Sequence, residues 1–450
     1  MNQQMKHWGI VGGGMLGLYL AMSLAEKGQR VTVLESKEAL GGLAGNWEIG
    51  NTTWDKFYHV ILLSDVRLRK LLKTLNLDDQ LNWVETKTGF YTEGQLYSMS
   101  DTLEFLQFPP LSYIDKLRLG FTIFYASRIT NWKALENIPL TEWLMKLSGK
   151  NTFEKIWLPL LRAKLGDHYK HTSATFIWTT IQRMYKARRT GLKKEMFGYV
   201  NGGYSRIISA LKENLVNKGV EIKTGHPVKH INPNGEGMVK VTDDQNQTRF
   251  FDEVIVTVPS SIAAEMCQNL SVEEKKRHLE IEYLGVICAS VLLKKSISPF
   301  YVTNITDQTP FTGIIEMTNI VDKKSFQNNS LVYLPRYLKS SNPIYHWKQH
   351  QIELLFKNSL LNMYPQLTSD DFQVFQVARA PYVFALPTIN YSGKLPPIST
   401  SVPGLHILNS AHIVNGTLNV NETLALADKK LPGILQNAKN RELTYEPTIY

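Results

Sequence analysis

Three glycines and one acid are the residues of this chain best placed to do chemistry. Within IVGGGMLG the pattern Gly12-x-Gly14-x-x-Gly17 occurs, and Glu35 follows Gly14 by 21 positions, near the spacing of about 20 that dinucleotide-binding turns use. Gly12 permits a tight turn. Gly14, between Gly13 and Met15, removes a side chain so that backbone N–H groups can approach a pyrophosphate. Gly17, with Ala21 one helical turn on, lets a helix lie close to a strand. Glu35 is suited to accept hydrogen bonds from a ribose diol, and its charge would repel a 2′-phosphate, which disfavours NADP.

The flanking residues form the elements that this turn needs. HWGIV is a short buried strand, MLGLYLAMSLAEKG is a helix with Gly28 as its stop, and RVTVLE is a second, parallel strand that ends on the acid. The same stretch imitates a signal peptide, because Lys6 and His7 precede an apolar run through Leu24. The glycine triplet would interrupt such a helix, a β-branched run follows at once, and no small-residue cleavage site intervenes. The nucleotide-binding turn is the expected reading.

Composition bounds the rest. At 450 residues the chain exceeds one ordinary hydrophobic core. Its 43% hydrophobic and 20% charged residues belong to an ordinary globular protein. Cys267 and Cys288 lie in apolar runs with no CxxC and no zinc-ligand spacing, so neither a disulfide scaffold nor a metal site is indicated and a reducing, cytoplasmic setting is expected. The formal charge of +10 implies anionic company: a nucleotide cofactor, a phosphorylated substrate or a membrane surface. No zinc finger, RNP-like motif or recognition helix points to nucleic acid, and no apolar run reaches the roughly 20 residues of a membrane span.

After Glu35 comes SKEALGGLAGNWEIGNTTWDKFYHVI, whose second glycine pair, Gly41 and Gly42, is unusual for an NAD dehydrogenase. Here the chain resembles the FAD-dependent amine oxidases, protoporphyrinogen oxidases and phytoene-type desaturases, with UDP-galactopyranose mutase as a more distant relative. The resemblance implies an FAD cofactor whose diphosphate and ribityl chain are wrapped by this segment, with Ser36, Gly42 and Leu43 in the binding set. Leu43 stands where the family commonly has Arg, removing one cation from the diphosphate.

Three later segments carry the resemblance onward. GYVNGGYSRIISALKENLVNKGVEIKTGHPVKHI places Gly202 and Gly203 before an amphipathic helix and a strand ending near Val228, whose backbone would hold the adenine. FFDEVIVTVPSSIA, with Thr257, Val258 and Pro259, is similar to the strand that re-enters the nucleotide fold. PGLHILNSAHIVNGTLNVNETLALADK takes the place of the family's last strand and helix, with Asn409 and Ser410 where a Gly-Asp pair is usual. Leu418, Asn419 and Asn421 would then meet the flavin from a helix N-terminus, while the plain reading of both asparagines is helix capping.

The fold class that follows is α/β: a Rossmann-type FAD-binding domain in three pieces (1–80, 196–265 and 396–450), with a mixed α+β substrate domain inserted in two segments (81–195 and 266–395). A hairpin turning at Glu93 and Gly94 opens the first insertion, and the second is strand-rich. His59, in WDKFYH, is either a proton carrier beside the flavin or a structural histidine. Arg379 is either a clamp for a substrate carboxylate or phosphate or one half of a strand-face ion pair. Tyr391 lines the pocket opposite the flavin or is a core aromatic. The basic segment from Arg183 to Lys194 and the aromatic stretch KLRLGFTIFYASRITNW each read as a contact for an anionic or lipid surface, or as a solvated face and a core helix respectively. Oligomeric state is left open.

No second GxGxxG is present, so electrons are expected from a small organic substrate, anionic or lipophilic, by hydride transfer to the flavin. A redox-neutral sugar-nucleotide mutase and a non-catalytic flavin-binding partner protein are the competing readings.

Overall fold

A computed structural model describes residues 5–187, 195–235 and 237–444. The glycine turn sits where the sequence places it, between strand β1 (His7–Val11) and helix α1 (Met15–Ala25), with strand β2 (Arg30–Leu34) following. Eight of the 11 residues of α1 are buried, because a parallel sheet covers one side and other helices cover the rest. The helix ends at Ala25, three residues before Gly28, which turns the chain at φ +75°.

Helix α2 (Val66–Thr74) leads to a hairpin of strands β3 (Thr88–Thr92) and β4 (Gln95–Ser98), which turns at Glu93 and Gly94. A helical run follows, including α3 (Thr102–Gln107), α4 (Tyr113–Arg128), α5 (Leu158–Leu165) and α6 (Ala174–Ala187). Helix α7 (Gly203–Asn217) then returns the chain to the first sheet through β5 (Glu221–Lys223) and β6 (Glu253–Val256). The strand expected to end near Val228 is instead two elements. β5 joins the parallel sheet, and Val228 begins Val228–Pro233, the first strand of a separate antiparallel sheet. The turn at Gly225, φ +69°, separates them.

Strands β7 (Tyr283–Leu293), β8 (Val302–Ile305), β9 (Gly313–Glu316) and β10 (Ser330–Leu338) come next, then helix α8 (Gln349–Met363) and strand β11 (Phe372–Ala385). Strand β12 (Leu405–Ile407) and helix α9 (Val420–Thr444) close the described chain.

Two sheets organise the molecule. The first is parallel, in the order β5-β2-β1-β6-β12. Helices α1, α2, α7 and α9 bury their apolar faces on one side, and the small antiparallel sheet covers the other. The second, in the order β11-β7-β10-β9-β8-β3-β4, joins strands from both insertions. β7 is buried at all 11 positions because alternate residues feed separate cores: Ile287, Ala289 and Val291 enter one, Val286, Cys288 and Leu292 the other. That two-sided burial explains its unbroken apolar run.

A candidate flavin and substrate cavity

A cavity of about 600 Å³ is lined both by the ends of the parallel sheet and by strands of the mixed sheet. One end is made of glycine. Gly41 N–H donates to the Gly13 carbonyl at 2.8 Å, so the two glycine turns are bonded directly to each other. A Cβ on Gly17 would lie 2.0 Å from the Gly12 carbonyl oxygen, and one on Gly13 would lie 2.7 Å from Leu40. These two glycines serve packing. Gly14 differs: its φ of −75° suits any residue, and a Cβ there meets no protein atom nearer than 4.0 Å. The space that its missing side chain leaves open belongs to the cavity.

Helix α1 points its amino end into that space. The first amide bonded within the helix is Leu18 N–H, to the Gly14 carbonyl, so the amino end of α1, at Met15 and Leu16, stands at the cavity wall, where a helix terminus favours an anion. Glu35 lines the same end and is oriented by its neighbours. Its carboxylate accepts from Gly13 N–H at 2.6 Å, from Lys37 N–H at 2.9 Å and from the Ser36 hydroxyl at 3.1 Å. Ser36 thus acts on the acid rather than on the cavity. Gly42 and Leu43 line this end beside Thr257, Val258 and Pro259.

Helix α9 supplies a second amino terminus. Asn419 caps it, accepting from Glu422 N–H at 3.0 Å, while Asn421 reaches across to accept from Arg67 and Leu68 N–H at 2.9 and 3.3 Å, capping α2. Both asparagines and Leu418 line the cavity as well. The capping and cavity-facing roles coexist. From α6, Arg183 enters the wall with Nη2 3.5 Å from Asp65, while its buried Nε has no hydrogen-bond partner among the described residues.

A family model described as flavin containing amine oxidoreductase matches residues 16–313. The chain belongs to that family. Over 249 residues it is 22% identical to the 15-cis-phytoene desaturase of Synechococcus elongatus, an alignment covering 51% of this chain and 52% of that protein. The chain spans about half the length of the curated relatives that it matches. Among solved structures, a candidate protoporphyrinogen oxidase of Exiguobacterium sp. 255-15 superposes with a TM-score of 0.75 at 16% identity, covering 96% of this chain and 99% of that one. Reduced UDP-galactopyranose mutase superposes with a TM-score of 0.73 at 15% identity, over 95% and 96% of the two chains. At these identities the likeness is one of fold.

For a flavin containing amine oxidoreductase the cofactor is FAD, and the residues present fit it. The open side of Gly14 and the amino end of α1 suit the diphosphate, the oriented carboxylate of Glu35 suits a ribose diol, and Arg183, whose Nε has no partner among the described residues, offers a cation. Leu43 lines the wall without charge, and Arg183, at the head of the basic segment, is a cation that α6 brings to this cavity among the described residues. Residues 188–194 of that segment lie outside the described residues.

His59 lines the cavity, its ring tilted against Tyr204 with centroids 4.8 Å apart and with Nδ1 3.7 Å from the Asp55 carboxylate. Asp55 is buried and accepts from Tyr204 N–H at 2.9 Å, holding the amino end of α7. Burial pushes its carboxyl up, and His59 and the Tyr204 amide pull it back.

The other three sequence-derived residues are placed away from the cavity wall. Arg379 donates through Nε to the Tyr345 carbonyl at 3.0 Å and through Nη2 to the Trp347 carbonyl at 2.6 Å, so it holds a loop leading into α8 rather than lining the cavity. Tyr391 is a buried aromatic whose hydroxyl donates to the Ala411 carbonyl at 2.8 Å. Val228 packs with Val11 and Leu34 beneath the parallel sheet.

Sequence reasoning missed the substrate end. Lys164, from α5, lines the cavity with Phe176, Tyr337 and Phe384. Its Nζ lies 3.6 Å from the centre of the Tyr337 ring, and it forms no hydrogen bond or ion pair among the described residues. Burial brings its amine down to about 7. Tyr337 shares a hydroxyl–hydroxyl bond of 2.7 Å with Tyr58, whose phenol burial pushes up to about 12. The usable signal was the phase of PLLRAKLG: Lys164 falls three residues after Leu161 and one before Leu165, both core positions.

Proposed function

We propose that the chain is an FAD-dependent oxidoreductase, an oxidase, dehydrogenase or desaturase, in which Lys164 takes the substrate proton. Dehydrogenation removes one hydrogen as hydride and one as a proton. Bound flavin supplies the hydride acceptor. This chain's residues do the rest: the aromatic walls at Phe176, Tyr337 and Phe384 exclude water from a lipophilic substrate, and neutral Lys164 Nζ accepts the proton. An amine near 7 is divided between its two forms at neutral pH, the state a general base requires. Tyr58 and Tyr337, with phenols held high by burial, stay protonated and fix the ring on which the ammonium rests.

One observation carries this reading. A single cavity joins the dinucleotide cradle to an unpartnered lysine set among aromatic rings. The cofactor unit is taken to comprise 1–80, 196–265 and 396–450, and the substrate unit the two insertions. Val228, two residues beyond His226, whose N–H donates to the Glu35 carbonyl, is kept as the residue whose backbone meets the adenine, and His59 as a proton carrier beside the flavin. The two free, buried cysteines suit a reducing compartment, the cytoplasm.

Anaerobic addition of metabolites to the FAD-loaded protein tests the reading. Bleaching of the oxidised flavin band by one of them is expected. Turnover of a sugar nucleotide only after prior flavin reduction, with no net oxidation, would show a mutase instead. Bound FAD that no metabolite reduces would show a flavin-binding partner protein.

A further inference from the structure

Helix α4 is built inside out. Its buried face carries Asp115, Lys116, Leu119, Thr122 and Ala126. Its outward face carries Tyr113, Ile114, Leu117, Phe121, Phe124 and Tyr125, which are 77, 65, 73, 54, 51 and 44% exposed. These positions share one side of a helix of 3.6 residues per turn. Leu103 and Leu106 of α3, 64% and 42% exposed, extend the same apolar surface. A water-facing helix ordinarily has the opposite polarity, and contiguous apolar surface of this kind marks a contact site. The stretch KLRLGFTIFYASRITNW answers to both of its readings: Leu119 and Ala126 join the helical core, with Ile123, Ile129 and Trp132 packed against it, while the larger apolar side chains face outward.

Polar groups account for the buried side. Asp115 accepts from the Ser112 hydroxyl at 2.6 Å and from the Asn151 amide at 2.6 Å, and Lys116 Nζ donates to the Leu106 carbonyl at 2.7 Å. The Thr122 hydroxyl bonds the Arg118 carbonyl and the Ser148 hydroxyl. The helix is thus locked in its orientation, with α6 behind it: Gln182 donates to the carbonyls of Ala126 at 2.9 Å and Ile129 at 3.3 Å. Other positions of α6, Phe176 and Thr179 among them, are cavity wall.

Charge selects the partner. Asp115 is the only acid on α4 and it is buried. Arg118, Arg128 and, just beyond the helix, Lys133 are exposed and form no ion pair among the described residues. The Arg128 guanidinium lies over the Phe124 ring at 5.0 Å, an arrangement that keeps a cation at the edge of the apolar surface. Aromatic and aliphatic side chains with flanking arginine, lying along one helix and facing outward, match the interfacial zone of a bilayer, where such a helix sinks about 5–10 Å. Among the described residues no helix is long and apolar enough to cross a membrane.

We infer that the outward face of α3 and α4 docks the protein on an anionic lipid surface, lying on the bilayer without spanning it. Docking there sets the cavity wall one helix away from the lipid, and it holds whichever bond the flavin oxidises.

The test is co-sedimentation of the FAD-loaded protein with vesicles of phosphatidylcholine alone or mixed with phosphatidylglycerol. Binding about tenfold stronger to the anionic vesicles is expected, weakened in about 1 M salt where screening shortens to about 3 Å. Leu117→Asp with Phe121→Asp should abolish binding while the flavin spectrum stays unchanged, since both side chains are exposed. Arg118→Glu with Arg128→Glu should remove the preference for phosphatidylglycerol. Absence of binding to either vesicle overturns the inference, as does equal binding to both. So does a dimer in vesicle-free solution that the Leu117 and Phe121 substitutions dissociate, which would make the face a contact between two copies.

Discussion

Gly14 and Gly17 look alike in the motif and do different work. A methyl group at position 17 collides with backbone, whereas one at position 14 enters only the space meant for phosphates. Gly17→Ala should therefore reduce soluble, folded protein, and Gly14→Ala should leave a cooperative thermal unfolding transition but no retained FAD absorbance. Lys164 makes the second residue-scale prediction. The rate of flavin reduction by substrate should rise with pH through about 7 as Nζ loses its proton, and Lys164→Met should be slow and lack that limb. The sign for stability is also set. The folded value lies below the ordinary 10.5, so the unfolded chain binds more protons between about pH 7 and 10.5, and stability gains with pH across that window. Lys164→Met should lose this dependence and be more stable at pH 7, as read by urea unfolding. The glycines were legible because a local turn dictates them. Lys164 was not, because its role depends on Tyr337, 173 positions away.

At the scale of elements, helix ends do the positioning. Asn419 caps α9 locally and Asn421 caps α2 from a distance. Alanine at either site should cost about 1 kcal/mol in chemical denaturation. Asn419→Ala should also weaken FAD retention, since it loosens the helix terminus at the cavity. The capping reading of these residues was open to local pattern, but the target of Asn421 was not. Arg379 shows the converse. A forked cation on a strand suggested a substrate anion, yet two carbonyls of the chain before α8 lie within its reach and accept from its Nε and Nη2.

For the whole molecule, one carboxylate ties the ends of the chain together. Glu253 of β6 lies 3.2 Å from Lys6, 3.1 Å from His406 of β12 and 3.0 Å from Arg441 of α9. Burial pushes its carboxyl up, and His406, Arg441 and Lys6 more than reverse that, holding it below its ordinary 4.5. A carboxyl lowered on folding contributes stability above about pH 4.5 that is lost as pH falls through its folded value. Glu253→Gln should lower stability at pH 7 by about 3 kcal/mol, because the buried carboxylate that His406, Arg441 and Lys6 face loses its charge, and should flatten the acid limb of the stability profile.

The sequence by itself determined the dinucleotide cradle and the α/β class. These follow from near-neighbour patterns: a strand, a glycine turn, a helix and an acid within about 30 residues. Tertiary structure alone decided which side of α4 meets solvent, which cations reach the cavity and where the proton acceptor stands. Such facts depend on segments far apart in the chain that pack together, and hydrophobic periodicity records that a helix has an apolar face without recording what that face meets.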